Sequence, residues 1–413
     1  MNATPTLPRR GIGRRPDRGA YLRLTGTACV GLLTAALFWP LGVSSHETVD
    51  TTVTFEAEIS RILIKKCISC HTPNNLAFPL TTYEETRPWA RAIEEEVLRR
   101  HMPPWRAVAG YGQFANDAGL TTRERQLLLA WIEGNGPKNS TQRLIVNIDQ
   151  METAEADRLH LHTDSWELDE PDATLTLPAV TLDARAPDQV REVEVETGFR
   201  NDRWVGSIEF RPSDRRLVRA AFFSIKETGE WLGSWTPWYG MTALPNDTAR
   251  MVPAGAHVVV ELHLRGTNES ADEHGTLGLN FRPKTPARCV ADLTLATDAG
   301  GSSTPQGTRF EAFTTLKQDV SLLAVRPLLP PDATSLELIA QQPDGRVTVL
   351  LFVRHMLPEW PTPYIYKRPK ALSAGTRLSM VSYAGTQASA ADASSEAQVQ
   401  LMTARAGFKS CAE

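Results

Sequence analysis

The hydrophobic period of this 413-residue chain changes once, and that change constrains the fold more than any other feature. Before about residue 135 the apolar residues recur at helical spacing. Phe55, Ile59, Ile62 and Leu63 share one helical face, and Trp89, Ile93 and Val97 repeat at i, i+4 and i+8, with Pro88 near the first helical position. Pro103-Pro104 is expected to end that helix. A third helix is expected from Thr121, where Glu124 completes a capping box. Leu127, Leu128, Trp131 and Ile132 form its apolar face, and Gly134 and Gly136 close it. This block shows no strand signal. From about residue 170 the period becomes two. Leu175 and Leu177 alternate with threonines, and Val193 and Val195 alternate with glutamates. Strand-like runs follow at 217–225, 257–265, 276–281, 320–326, 335–341 and 346–353. A hairpin turn at Pro343-Asp344-Gly345-Arg346 joins the last two. Many short strands separated by turn residues argue for β-sandwich architecture.

The N-terminus is a separate kind of segment. Arg9, Arg10, Arg14, Arg15, Arg18 and Arg23 precede an uncharged stretch from Leu24 to Val43. That is a basic region followed by an apolar one, with small residues at Val43-Ser44-Ser45 for cleavage. Two readings stand: a signal peptide over 1–45, or an uncleaved anchor, since about 20 uncharged residues can just span a bilayer. Both place the remainder outside the cytoplasmic membrane, in the periplasm or its equivalent. The net charge of −4 divides into +5 for residues 1–45 and −9 for the rest, which gives no support for nucleic-acid binding. Five cysteines are too few for a disulfide scaffold.

Cys67-Ile68-Ser69-Cys70-His71 carries the chemistry. In a CxxCH sequence two thiols can add across the two vinyl groups of haem, and the adjacent His then reaches the iron. A zinc site would need two further ligands nearby, and none of the other cysteines is close. A thioredoxin-type pair would follow a strand, and no strand precedes this one. The expected cofactor is one covalent haem c on Cys67 and Cys70, with His71 as an axial ligand. Met102 is the only Met between residues 46 and 150 and stands where a helix gives way to the rigid Pro103-Pro104-Trp105, which marks it as the second axial ligand. His101 is its competitor. His/Met ligation favours a relatively high potential and electron transfer.

Residues 54–137 resemble a small monohaem class I cytochrome c domain. The resemblance rests on Cys67-Ile68-Ser69-Cys70-His71, Leu80-Thr81-Thr82-Tyr83-Glu84, Arg87-Pro88-Trp89-Ala90, Met102-Pro103-Pro104-Trp105 and Trp131-Ile132-Glu133-Gly134-Asn135-Gly136. Residues 164–413 resemble the two-lobed β-sandwich of copper type II, ascorbate-dependent monooxygenases, of the peptidylglycine-hydroxylating kind. The segments that carry this are Ser165-Trp166-Glu167-Leu168-Asp169-Glu170-Pro171-Asp172, Pro253-Ala254-Gly255-Ala256-His257, Val259-Val260-Glu261-Leu262-His263-Leu264, Pro343-Asp344-Gly345 and Ala374-Gly375-Thr376-Arg377-Leu378. That family holds two coppers on His-His, His-x-His, a distant His and a Met. Here the corresponding stretches read Val218-Arg219-Ala220, His263-Leu264-Arg265 and Val325-Arg326-Pro327-Leu328, with Met402 a loose match. Arginine does not ligate copper, so copper is not expected.

The remaining candidates read as structural. His160-Leu161-His162 lacks a third partner. His257 and His263 are about 20 Å apart on a regular strand, too far to share an ion. His355-Met356 lies at an expected strand end beside Trp360. Trp231, Trp235, Trp238 and Tyr239 form an aromatic loop that either caps a core or docks a partner. A disulfide between Cys289 and Cys411 would close the last β lobe.

The expected fold is therefore multidomain: an all-α monohaem cytochrome c domain followed by two all-β sandwich lobes. Its parts are the N-terminal segment 1–45, the cytochrome domain 50–138, a linker 139–163, a first lobe 164–283 and a second lobe 284–413. The expected function is single-electron transfer by an exported, metal-binding c-type cytochrome. Its partner is a redox protein or a membrane redox complex, with membrane anchoring through residues 24–43 where the segment is retained. The copper-free β module serves docking or structure. The alternative is a haem-fed, copper-dependent monooxygenase.

Overall fold

The computed structural model describes residues 51–139, 166–297, 301–385 and 396–406. The N-terminal segment 1–45, residues 140–163 of the predicted linker, His160, His162, Cys411 and residues 386–395 of a predicted loop lie outside the described residues.

The helical periodicity produces short helices around one small core. A π-helical turn at Phe55–Ile59 runs into α1 (Ser60–Lys66). Thr82 and Glu85 form a reciprocal capping box that opens α2 (Tyr83–Thr86). A 3₁₀ turn containing Pro88 then leads into α3 (Ala90–Leu98). Thr121 and Glu124 form the predicted capping box at the start of α4 (Thr122–Glu133). Phe55, Ile59, Leu63, Val97, Leu128 and Trp131 meet in the core. The prolines do not end α3, as expected from the sequence. It stops at Leu98, and Arg100 turns the chain in the left-handed region before Pro103 is reached.

Twenty strands lie among the described residues. They begin with β1 (Ala173–Thr176), β2 (Val180–Leu182), β3 (Gln189–Glu196), β4 (Arg203–Arg211), β5 (Val218–Ile225), β6 (Trp231–Trp235) and β7 (Met241–Ala243). Next come β8 (Thr248–Val252), β9 (His257–Leu264), β10 (Ala271–Glu273), β11 (Thr276–Phe281), β12 (Arg288–Ala296), β13 (Ser302–Thr304) and β14 (Gly307–Thr315). The last are β15 (Val320–Leu328), β16 (Ala333–Gln341), β17 (Val347–Arg354), β18 (Tyr364–Leu372), β19 (Arg377–Ala384) and β20 (Gln398–Ala406). One nine-stranded sheet runs β1-β11-β4-β8-β12-β20-β15-β18, with β7 beside β4. A four-stranded sheet, β3-β9-β5-β6, and a five-stranded sheet, β13-β14-β19-β16-β17, accompany it, and β10 pairs with β2. Ile208, Phe223, Val260 and Leu277 belong to one apolar core; Leu322, Leu336, Leu351 and Leu401 belong to another. This is sandwich packing, as the alternating pattern implies.

The expected fold class needs correction in its all-α part. Strands make up 44% of the structure and helices 13%, so the molecule is predominantly β. The helical residues are not a separate all-α cytochrome domain. Between α3 and α4 the chain leaves the helices and joins the β body. Ala107 bridges to Val353 and Phe114 to Tyr366, and Val108 donates to the Phe352 carbonyl at 2.8 Å. Phe114 is buried in the second β core, and Trp105 packs against that core. The β part carries two apolar cores, one mostly within 164–283 and one mostly within 284–413. β8 and β12 pair in parallel at Arg288/Thr248 and Cys289/Ala249, which makes one sheet continuous between both cores. The resemblance to a class I cytochrome c domain followed by a monooxygenase-like module is overturned with that layout.

Candidate functional site

The site begins where α1 ends. The Cys67 amide donates to the Leu63 carbonyl at 2.7 Å, and the amides of Cys70 and His71 fold back on the Cys67 carbonyl at 3.1 and 3.0 Å. Two further backbone bonds close the loop: Ala77 to Cys70 at 3.1 Å and Leu80 to His71 at 3.0 Å. Asn75 Nδ2 pins the middle of the motif by donating to the Ser69 carbonyl at 3.0 Å. Cys67, Cys70 and His71 are thereby aimed at one cavity of about 470 Å³, within the size range of cofactor sites. Met102 lines the same cavity, delivered by the turn after α3. Leu63, Leu80, Ile93 and Leu128 give the cavity apolar walls.

The donor set has a definite chemistry. Both cysteines are free thiols, and burial pushes each up to about 12. His71 Nδ1 donates to the Phe78 carbonyl at 2.8 Å, which leaves Nε2 as the lone-pair donor. Burial pushes the imidazole pKa down, against the pull of that hydrogen bond, and favours the neutral ring that ligates metals. Phe78 packs edge-on against His71, with ring centroids 5.0 Å apart, and stacks on Trp89 at 4.1 Å. His101, the competitor of Met102, is half exposed, stands 3.4 Å from Glu96 and is not in the cavity wall.

The β body completes this cavity, and the sequence reading missed that. Arg219, Arg265, Glu359 and Trp360 line it. Arg219 and Arg265 stood out in the sequence only as positions unable to bind copper. They are more than a hundred residues from the motif, and no local pattern announces where the sheets bring them. A second cleft of about 1070 Å³ lies against the same loop and includes Ile68 and Ser69. Its polar wall holds Arg211, Arg215, Asp214 and Glu167. Desolvation and then Glu209 push the Glu167 carboxyl up to about 7, while Arg215 pulls it down.

The other candidates find ordinary partners. Alternate residues of β9 face the core, which leaves Glu261 and His263 together on the other face. His263 Nε2 and Arg326 Nη2 both reach the Glu261 carboxylate, at 2.7 and 2.8 Å. His257 Nδ1 pairs with Glu227 at 3.0 Å. Met402 is buried in apolar surroundings with Trp231, Val290 and Leu323. Trp231 and Trp235 are also buried, so these two cap cores. His355 follows β17 in the left-handed region. Cys289 is disulfide-bonded; its predicted partner Cys411 lies outside the described residues. The general metal-binding expectation is corrected to this extent: no group of three or more His, Cys, Asp or Glu able to hold an ion occurs among the described residues. No helix among the described residues is long and apolar enough to cross a membrane.

No family model matches the chain, and no curated protein matches it. Solved structures with partial likeness include that of Sulfolobus turreted icosahedral virus (10% identity, 58% of this chain and 91% of that one, TM-score 0.24). The major capsid protein P2 of bacteriophage PM2 is another (9% identity, 57% and 98%, TM-score 0.24). At such scores neither likeness bears on what this chain does.

Proposed function

We propose that this chain holds one haem c, attached through Cys67 and Cys70 with His71 and Met102 as axial ligands, and transfers single electrons outside the cytoplasmic membrane. The observation that carries this reading is that two free thiols, a neutral imidazole and a thioether, supplied by two separate segments, line one cofactor-sized apolar cavity. When bound, the haem supplies one-electron redox chemistry. Cys67 and Cys70 would hold the group through thioether bonds to its two vinyl side groups, a redox-neutral addition of S–H across each double bond. His71 offers Nε2 because its Nδ1–H is occupied by Phe78. Met102 would offer a thioether sulfur, a softer and weaker donor than imidazole, which favours the reduced state.

Two features support an exported location. One is the basic and then uncharged N-terminal segment. The other is the disulfide at Cys289, a linkage that persists in oxidising compartments. The electron partner on this reading is a redox protein or a membrane redox complex, and the β body supports the cavity and offers a docking surface.

The test is to mature the full chain in a host that attaches haem c, then to measure iron per chain and intact mass. One covalent haem per wild-type chain, absent from a Cys67→Ala/Cys70→Ala variant, is expected. Wild-type chain that matures without covalent haem would overturn the reading.

A further inference from the structure

We infer that Arg219 and Arg265 of the β body form a carboxylate clamp in the cavity wall, and that the propionate carboxylates of the haem occupy it. The inference rests on the haem reading above. Three observations carry it. First, Arg219 is the extra residue of a β-bulge: Val218 pairs with Leu264 and Ala220 with His263, and Arg219 pairs with neither. A bulge re-aims one side chain out of the regular alternation, and this one puts Arg219 into the cavity wall. Second, the Arg219 guanidinium is only partly satisfied. Nη1 pairs with Asp188 at 2.8 Å and the group lies over the Trp360 ring at 5.4 Å, yet the buried Nε has no hydrogen-bond partner. Third, Arg265 stands just past the end of β9, held by its amide on the Leu217 carbonyl. Its side chain donates to the Leu76 carbonyl, in the loop that follows the CxxCH motif, and pairs with no carboxylate among the described residues.

The other charged groups in the wall leave this pair available. Lys66 Nζ donates to the Asp117 carbonyl at 3.1 Å, Glu96 stands beside His101, and Glu359 interacts with Arg106. A guanidinium presents a planar fork that matches a carboxylate, and it cannot shed its charge. Two such forks, one with an orphaned donor and one without an anion, at a cavity that carries haem-attaching thiols, fit the two carboxylates that a haem brings. The helical loop would then be tied to the β body through the cofactor as well as through Leu76.

The experiment is the midpoint potential of the full-length haem-loaded chain from pH 5 to 8, with covalent haem counted by mass and folding checked by far-UV circular dichroism. The variants are Arg265→Gln, Arg265→Lys and Arg219→Gln, with the exposed Arg346→Gln as control. A cation beside a propionate keeps it ionised and offsets its charge at the iron. Arg265→Gln is therefore expected to keep its covalent haem but to shift the ferrous–ferric equilibrium tenfold toward the ferric form, about 59 mV for one electron. It should also gain a pH dependence that the wild type lacks. Arg265→Lys should restore most of the potential and Arg346→Gln should change nothing. Should Arg265→Gln not fold, Arg219→Gln and Arg265→Lys carry the same comparison. Covalent haem with an unmoved potential and an unmoved pH profile in the folded variants overturns the clamp alone. No covalent haem on the wild-type chain overturns the clamp together with the haem reading.

Discussion

His71 shows how little of a site need be special at the level of single residues. Its ring is oriented by one backbone carbonyl, that of Phe78, and steadied by one aromatic edge. Met102 and His101 are neighbours in sequence, yet only Met102 lines the cavity while His101 turns toward Glu96. Met102→Ala should therefore leave haem covalently attached but lower the potential and alter the low-spin spectrum. His101→Ala should do neither. Potentiometry on the two variants checks this, and an effect confined to His101→Ala would reassign the axial ligand. Glu167 allows a separate test away from the thiols. Its carboxyl is raised from 4.5 to about 7 by desolvation and Glu209, so the folded chain holds this proton more tightly than the unfolded chain does. The stabilisation is full below pH 4.5 and is lost as the pH rises through about 7. A Glu167→Gln variant cannot ionise at this position. Its melting temperature should gain on the wild type between pH 4.5 and 7 and hold that lead above 7. A gap that is constant from pH 4 to 8 would show that Glu167 does not titrate in this way.

At the scale of elements, residues 99–119 decide how the helices are held. Phe114 sits in the second β core at 7% exposure, with ring centroids of Trp105, Tyr364 and Tyr366 within 6 Å. Removing so large a buried side chain leaves a cavity, and Phe114→Ala should cost about 3–5 kcal/mol in denaturant unfolding. A cost below about 1 kcal/mol would mean that the segment only rests on the sheet. The same segment shows where sequence reading stops. Short-range signals were legible: the Thr121–Glu124 box opens α4, the period-two pattern marks β9, and Gly345 turns β16 into β17 with φ 83°. That Cys67, Cys70, His71 and Met102 line one cavity agrees with what local signals marked, the CxxCH spacing and a lone Met before Pro103-Pro104. The segment 99–119 carries no such pattern, since it meets the sheets at isolated bridges and not as a strand. The parallel contact of β8 with β12 covers only two residue pairs, so the continuity of the long sheet leaves no periodic trace. Arg219 reaches the cavity from a β-bulge and Arg265 from just past the end of β9, and where the sheets carry both is a long-range property.

The whole molecule should respond as one cooperative unit, and Arg250 is the place to test it. This side chain is 1% exposed on β8 and pairs with Asp292 on β12 and with Glu230 at 2.8 Å. Asp292 also accepts the Trp231 amide at 2.5 Å and Gln400 Nε2 at 2.8 Å. One largely covered carboxylate thus joins β6, β8, β12 and β20, at the junction between the two β cores. The apolar cluster of Trp231, Leu244, Val290 and Met402 spans the same junction. Truncating Arg250 would leave the largely covered Asp292 carboxylate without its guanidinium partner, held only by Trp231 and Gln400, and breaking such a pair costs up to about 3–5 kcal/mol. The loss falls on the contact that couples the cores, not within either core. Hydrogen exchange read by mass spectrometry along a denaturant series separates the cases. In the wild type, protection in α4, β9 and β15 should be lost together, because the helices are fixed to one core by Phe114 and that core to the other through β8 and β12. In Arg250→Ala, β9 should open at lower denaturant than β15. Separate opening of these elements already in the wild type would mean that the continuous sheet does not transmit stability, and that the β body behaves as the two lobes its sequence suggested.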